Sequence, residues 1–433
     1  MQRAASCSRR LLGRRTRSFE RAFTSSSSVQ LTRDGRRVVL GIESSCDDSC
    51  AAICVAPTTY GEDIISASSE RLRNSDGEAE LVSSIVLKQD HSLTSGIQPL
   101  IAANSHAASL PHAIVAALRE AKSKGFIASI TSPVEIDAIA VTQGPGMGAS
   151  LASGLGLSKM LSALWERPLV YTHHMAAHAL TPFLRTTTTT TARPHAPTLA
   201  FPFLTLLLSG GHTLLVLCRG PRSFKILATT NDDSIGDAFD KVSRGLKIDV
   251  DWASTSPGAA LEAFVTQRTE GGEQETEDKT ASKRWSLPVP LKNKPEFSYS
   301  GLKSAVQRQI EELERVHEGQ IPDSDRRSLA RAFQLAAFAQ LESKIRMNLS
   351  SEKQGEAIKA LVVSGGVASN EVLRKRLRGC LDDMGRGDVE LHFPPISLCT
   401  DNAAMIAHAA LLDYQTTFDL TRSPRAKWSL EDL

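Results

Sequence analysis

The chain has 433 residues, 41 % of them hydrophobic and 23 % charged, with a formal net charge of +2. Those values describe a globular, enzyme-sized protein of two domains plus insertions. Seven scattered cysteines with no CxxC pair exclude a zinc ribbon and a disulfide framework, and no run approaches the ~20 apolar residues that a membrane span needs.

The first thirty residues stand apart from the fold. Arg3, Arg9, Arg10, Arg14, Arg15, Arg17 and Arg21 face a single acid, Glu20, and serines crowd in from Ser25 to Ser28. Arg-rich, Ser-rich, acid-poor and able to form a basic amphipathic helix, residues 1–30 have the profile of a mitochondrial transit peptide. They lack the apolar stretch of a secretory signal. The expected location is the mitochondrial matrix. Without those residues the formal charge of the remainder is −4. Bulk charge then gives no support for nucleic-acid binding; only a local patch could supply it.

Val38 to Glu43 reads as a buried strand running into a polar turn, Ser44-Ser45-Cys46-Asp47-Asp48, with Ala51 to Val55 returning. A hairpin turn full of hydroxyls and carboxylates offers polar groups to a nucleotide phosphate or its metal. Cys46, Cys50 and Cys54 recur every four residues, but along strands that spacing does not gather ligands. Residues 59–96 read as a polar, helix-bearing loop. Ser105 to Lys122 has the apolar spacing of an amphipathic helix. Ile136 to Val141 is the next buried strand. It ends in Thr142-Gln143-Gly144-Pro145-Gly146-Met147-Gly148, with Gly154 and Gly156 in the helix beyond. Strand, glycine turn and helix N-terminus together present main-chain N–H groups to an anion.

Leu169 to Tyr171 leads into His173-His174-Met175-Ala176-Ala177-His178. On a helix His174 and His178 lie one turn apart on one face, a spacing that lets both reach a single divalent ion. Met175 stands where a zinc peptidase of the H-E-x-x-H type needs its glutamate base. Residues 186–197 are a low-complexity surface insertion. Leu199 to Leu208 reads as a long strand delivering Ser209-Gly210-Gly211-His212-Thr213, and Leu214 to Leu217 continues the chain. This repeats the hairpin logic of residues 38–55 and suggests two related domains.

Asp232-Asp233 reads as the cap region of a helix on which Asp237 and Asp240 share a face, one of them available to ribose hydroxyls. Ser256-Pro257-Gly258 opens another helix. Residues 267–285 read as a charged, mobile loop. Phe297 to Lys303 enters a helix over 303–314, and Ser328 caps a long helix to Asn348. Leu361 to Val363 is a strand followed by a second Ser-Gly-Gly turn, Ser364-Gly365-Gly366, and Asn370. Thr400 or Asp401 caps the last helix.

In order, Glu43-Ser44-Ser45-Cys46-Asp47-Asp48, Gly144-Pro145-Gly146, His174 to His178, Ser209 to Thr213, Ala238-Phe239-Asp240-Lys241, Phe297 to Lys303, Ser364 to Val367 with Asn370, and Thr400-Asp401-Asn402-Ala403 resemble the TsaD family of tRNA threonylcarbamoyladenosine transferases. The resemblance covers residues 38 to about 412, and the N-terminus makes it similar to the mitochondrial branch. It implies an α/β, actin-like (ASKHA) fold: two ribonuclease-H-like halves with an interdomain cleft. The expected division is 38–145 for the first half, 146–394 for the second with insertions at 186–197 and 267–285, and 395–433 for a C-terminal helix returning to the first half.

By the same resemblance, His174, His178 and Asp401 would hold one divalent metal ion per subunit, of the Fe or Zn type. Some relatives add a Tyr ligand two residues before the Ser-Gly-Gly turn; here Leu207 stands there, so three protein ligands are expected. Leu207, Leu208, Ser209, Gly210, Gly211, Asp240, Gly258, Glu262 and Asn370 fall where the family holds its adenylate-linked substrate. Bacterial members read Pro-Gly-Gly where this chain has Pro257-Gly258-Ala259. The implied reaction moves a threonylcarbamoyl group from threonylcarbamoyl-AMP to the exocyclic amine of the adenosine 3′ of the anticodon, in tRNAs reading codons that begin with A. The implied partners are threonylcarbamoyl-AMP, tRNA and a second copy of the chain, with no membrane. A basic rim is expected at the cleft, with Lys88, Lys303 and Arg374 as candidates. The rival readings are an ATP-binding kinase-like protein of the same fold, a metallopeptidase, and a nucleotide-binding scaffold.

Overall fold

A computed structural model of the protein describes residues 35–66, 78–90, 94, 96–184, 199–250, 255–266, 274–350 and 357–433. The expected transit peptide and the insertion at 186–197 lie outside these residues. The first sheet is built from β1 (Arg36–Glu43), β2 (Ser49–Pro57), β3 (Glu80–Leu87), β4 (Ala138–Gly144) and β5 (Leu169–His173). Its order is β3-β2-β1-β4-β5. β1 pairs antiparallel with β2 and parallel with β4. Apolar residues run without interruption through β1 and β2 because both faces of the sheet are covered. Val38, Leu40 and Ile42 pack on one side against α2 (Pro99–Ser123) and α3 (Gly148–Trp165), which follow the short α1 (Tyr60–Ile65).

The second sheet repeats the plan. β6 (Phe203–Leu208), β7 (Thr213–Gly220) and β8 (Ser223–Thr230) form an antiparallel meander. β10 (Ala360–Ser364) and β11 (Glu390–His392) add in parallel beside β6, and the two-residue β9 (Glu296–Phe297) joins β8. The order is β11-β10-β6-β7-β8-β9. Three antiparallel strands with the first one inside, then two parallel strands beside it, is the arrangement of both sheets, so the expected two-halved α/β architecture is present. The outer face is covered by α5 (Ile235–Gly245), α6 (Pro257–Thr266), α8 (Ser300–Val316), α9 (Asp323–Leu349) and α10 (Glu371–Asp383), with α7 (Gln274–Trp285) leaning on α9.

Between the sheets lies a layer of two short helices, α4 (His174–Leu180) and α12 (Ala403–Leu412), the latter preceded by the one-turn α11 (Ile396–Cys399). Every residue of α4 and of α12 is buried. A helix apolar on all sides has no face to offer water and is stable only when enclosed. One core cluster accordingly joins Val39 and Cys54 of the first sheet, Leu207 and Val362 of the second, and both helices. α12 sits so close on β1 that a Cβ at Gly41 would lie 2.8 Å from the Ala407 amide nitrogen.

Several elements differ from the expectations drawn from sequence. The loop expected over 59–96 contains β3, whose mixed residues sit at a sheet edge. β8 is an addition to the expected strands. α7 stands where a mobile loop was expected, because Trp285 packs on the second core and its Nε1 donates to Ser328 at 3.0 Å. Ser328 is therefore inside α9, which starts at Asp323 after Pro322. β5 keeps the first sheet going beyond the division expected at 145.

Gly41→Ala should push α12 off β1, costing about 2–3 kcal/mol by overpacking, and a thermal melt should show a midpoint lower by several degrees. Gly379→Ala, in mid-helix with open space around the added methyl, should leave the midpoint unchanged or raise it.

Candidate functional site

β5 ends where α4 begins, and His173 caps the helix: its Nδ1 accepts from the amides of Met175 (3.1 Å) and Ala176 (3.3 Å). His174 and His178 follow on one face, their rings 4.8 Å apart and perpendicular. Asp401 arrives from the other central helix. It is not that helix's cap, and neither is Thr400; Asn402 is, accepting from the Met405 amide at 2.9 Å. Freed from capping, the Asp401 carboxylate turns toward the imidazoles. Its Oδ1 lies 3.4 Å from His174 Nε2 and 3.0 Å from His178 Nε2. The imidazoles are buried, whereas the Asp401 side chain is 26 % exposed. The cluster is therefore walled on the protein side and open at the carboxylate.

Behind it stands Glu43, fully buried at the end of β1. Its carboxylate accepts from the Ser45 amide, the Thr142 hydroxyl and His174 Nδ1, the last at 3.2 Å. Burial alone would raise the pKa of Glu43, but the His174 charge and hydrogen bond outweigh it and hold the group ionised. For His174, burial acts downward, and the carboxylates of Glu43 and Asp401 overcome it, pushing the imidazole up to about 10. Burial likewise works against Asp401, and His174 and His178 carry it well below the carboxylate range.

The donor set fits a divalent ion. Two imidazole nitrogens and a carboxylate oxygen lie within 4.8 Å of one another. A proton on His174 Nδ1, held by Glu43, leaves Nε2 as the coordinating atom, the carboxylate–histidine support common behind metal-bound imidazoles. Two carboxylates beside two imidazoles leave negative charge for a cation to neutralise. Glu43 has no role among the sequence-based expectations, although a carboxylate closing a fully buried strand was the available sign. His212 is a second omission. It is half-buried beside the cluster, its pKa lowered to about 4 first by burial and then by the charge on His174.

The expected substrate residues form two groups. Ser209, Gly210 and Gly211 make an open turn: the Ser209 hydroxyl accepts from the His212 amide at 3.0 Å, and added Cβ atoms at Gly210 and Gly211 would meet nothing. The turn rests on the start of α5, where Ser234 donates to the Gly210 carbonyl at 2.5 Å. Leu207 and Leu208 lead into this turn. Leu207 packs into the central layer and Leu208 into the outer core, so their side chains are structural.

The second group is stitched together across α5, α6 and α10. Asp240 accepts from the Gly258 amide at 2.8 Å, Glu262 accepts from the Glu371 amide at 2.9 Å, and Asn370 caps α10 on the Leu373 amide at 2.9 Å. Burial pushes Asp240 up to about 6, and Asp47, from the polar turn of the first half, adds to that push. Asp48 on that same turn is pushed up to about 7, by burial and then by Asp47 and Asp401. Asp237 is occupied with Lys241 at 2.6 Å. Of the expected basic rim, Lys303 is paired with Asp233, and the Arg374 guanidinium lies 4.4 Å over the Phe393 ring.

Fold and cluster together define a two-halved α/β protein with a His, His, carboxylate site at the ends of two enclosed helices. Residues 80–408 match the family described as "TsaD: tRNA N6-adenosine threonylcarbamoyltransferase". A tRNA N6-adenosine threonylcarbamoyltransferase of Roseobacter denitrificans is 36 % identical over 402 residues, covering 91 % of this chain and 94 % of its own length. One of Brucella ovis is 35 % identical over 403 residues, with 91 % and 95 % covered. The chain belongs to the TsaD family, a family of metal-dependent transferases. Among solved structures, HypF of T. kodakarensis aligns with a TM-score of 0.48 at 13 % identity, over 89 % of this chain and 48 % of that one.

Glu43→Gln should weaken the affinity for a divalent ion by about 10–100-fold, read by competition with a chromogenic chelator. Asp240 supplies a pH test. Its folded pKa lies above the ordinary value of about 3.9, so its charged form is penalised and stability falls as pH rises from 4 to 6. Asp240→Asn should raise the melting midpoint at pH 7.5, and the gain should vanish below pH 4.

Proposed function

We propose that the protein transfers the threonylcarbamoyl group of threonylcarbamoyl-AMP to the exocyclic amine of the adenosine 3′ of the anticodon, in mitochondrial tRNAs reading codons that begin with A. The observation that carries this reading is the meeting of His174, His178 and Asp401 beside the open Ser209-Gly210-Gly211 turn, inside a chain whose family match spans both halves.

The chemistry asks for positioning more than for a nucleophile. The adenosine nitrogen forms a bond to the carbamoyl carbon, the bond from that carbon to the phosphate oxygen breaks, AMP departs and the amine loses a proton. Burial drives the thiols of Cys46, Cys50 and Cys54, on the first half beside the site, far above their ordinary range, so they stay protonated and do not act as nucleophiles. His174, His178 and Asp401 would hold the divalent ion, which supplies Lewis-acid polarisation of a phosphate or carbonyl oxygen when bound. Gly210 and Gly211 leave the main chain open to a phosphate. Asp240, Glu262 and Asn370, each fixed by a main-chain amide, would orient the adenylate, which lowers the entropic part of the barrier.

The mitochondrial matrix rests on the Arg-rich, acid-poor residues 1–30. A homodimer is supported by apolar side chains exposed on α2 and α3, Leu100 at 73 %, Met160 at 54 % and Leu164 at 70 %, with Met160 lining a cleft of about 280 Å³ between those helices. Among the described residues no helix is long and apolar enough to cross a membrane. The kinase-like and peptidase readings are not favoured, since Mg²⁺ prefers oxygen ligands to imidazole and Met175 occupies the base position.

Chemically prepared threonylcarbamoyl-AMP and unmodified mitochondrial tRNA, incubated with metal-loaded protein, should yield the modified nucleoside by mass spectrometry. His174→Ala should lower its formation by at least about a hundredfold, as expected where a metal ligand is removed, while tRNA binding persists. Wild-type protein that gives no product overturns the reading, and an unimpaired H174A variant separates it from the site.

A further inference from the structure

After α12 the chain forms a strap that crosses from one half to the other. It begins at the edge of the first sheet, where Thr417 and Leu169 exchange main-chain hydrogen bonds at 2.8 Å. Tyr171 donates to the Asp419 carbonyl at 2.6 Å and Gln143 to the Ser423 carbonyl at 3.0 Å. The Arg425 amide donates to the Gln143 carbonyl at 2.8 Å, and the Gly146 amide to the Ala426 carbonyl at 3.2 Å. His173 Nε2 donates to the Trp428 carbonyl at 3.2 Å, one residue from the metal cluster. Glu431 then reaches the second sheet, accepting from the Ile226 amide on β8 at 2.8 Å.

The strap's main chain is thus pinned while its basic side chains face water. Arg422, Arg425 and Lys427 are exposed, with only Asp419 as an acid among residues 419–427. The Arg425 guanidinium lies 4.0 Å over the Trp428 ring and that of Arg422 lies 4.8 Å over Tyr171. Stacking fixes the plane of a guanidinium and leaves its N–H edges free. Arg422 shares its charge with Asp419 at 3.4 Å; no described carboxylate pairs with Arg425 or Lys427. By contrast Lys241 and Lys303, on the second half, are already neutralised by Asp233.

We propose that Arg425 and Lys427, with Arg422 at their flank, form the phosphate-contacting rim that holds the substrate RNA beside the site. The proposal rests on the tRNA reading above. Charge held in place before binding gives up little freedom on meeting a phosphate, and each neutralised phosphate contributes a salt-dependent share of affinity. Unpaired cations concentrated on one strap supply a local positive patch beside the site, which the net charge of +2 over the whole chain does not by itself provide.

The test is filter binding of unmodified tRNA between 50 and 200 mM salt. R425E/K427E should weaken binding at least tenfold. It should also flatten the slope of log Kd against log salt by about 1.4–1.8, since each of two phosphates left without its cation removes ~0.7–0.9. R425Q/K427Q, which removes the same two cations without adding acids, should flatten the slope by as much and weaken binding less. Melting midpoint and metal content should match wild type in both, and Arg315→Glu on α8 should leave Kd unchanged. Folded variants with unaltered Kd and slope overturn the rim, whatever the transfer activity. Wild-type protein that forms modified nucleoside while these variants bind normally overturns the rim alone; wild-type protein that neither binds tRNA nor forms product overturns the functional reading and the rim with it.

Discussion

Two short helices buried on every side, and mostly apolar, can exist only where water is excluded, and that constraint places everything else. α4 and α12 are buried along their whole length between two sheets. Their neighbours set how near they come: α12 lies against the bare backbone at Gly41, and α4 follows β5 without a connecting loop. Once both helices occupy one layer, the histidine face of α4 and the residue before the Asn402 cap of α12 are adjacent. Residues more than 220 positions apart, His178 and Asp401, then meet at 3.0 Å. The ligand cluster is a by-product of hydrophobic enclosure with polar groups placed at its rim.

Enclosure also makes the cluster electrostatically demanding. A buried carboxylate without partners costs several kcal/mol, so Glu43 is tolerated only because the Ser45 amide, Thr142 and His174 all serve it. The same bonds fix the His174 ring. Support and stability are therefore one arrangement: the groups that offset the burial of Glu43 are those that aim the imidazole. Asp48 and Asp240 show the opposite case. Each sits in the cleft with too little compensating charge, and each is pushed toward neutrality.

How much of this was legible in the sequence depended on whether a local pattern carried it. The His174/His178 pair was visible because the helical period is local. The parallel design of the two halves showed in the repeated strand and glycine-turn pattern. Asp401 was named as the third member of the cluster through the family resemblance, and there the structure brings it to the imidazoles; its local pattern suggested a capping role that belongs to Asn402, since residues with equal cap propensity cannot be ranked without the helix axis. Leu207 and Leu208 were named through the family resemblance, and period-two alternation along β6 sends one side chain to each buried face. Glu43 escaped because a single charge at a strand end has no period, and α7 because its short charged run gains its helix from Trp285 packing on the second core.

His173 shows how the strap and the cluster share one residue. Its Nδ1 accepts from the amides that open α4, so the ring proton must reside on Nε2, where it is donated to the Trp428 carbonyl. Accepting from the helix amides requires the neutral form, since a protonated ring has no lone pair at Nδ1, whereas the bond from Nε2 to Trp428 would survive protonation. Burial, the largest influence, drives the pKa down to about 3, which secures that form across the physiological range. One imidazole therefore caps the helix that presents His174 and His178 and anchors the strap that crosses from the first sheet to β8. Displacing the strap would withdraw an acceptor from Nε2 and leave a buried donor unmet, at a cost of about 1–3 kcal/mol. That penalty ties the position of the C-terminal segment to the geometry of the helix that carries His174 and His178.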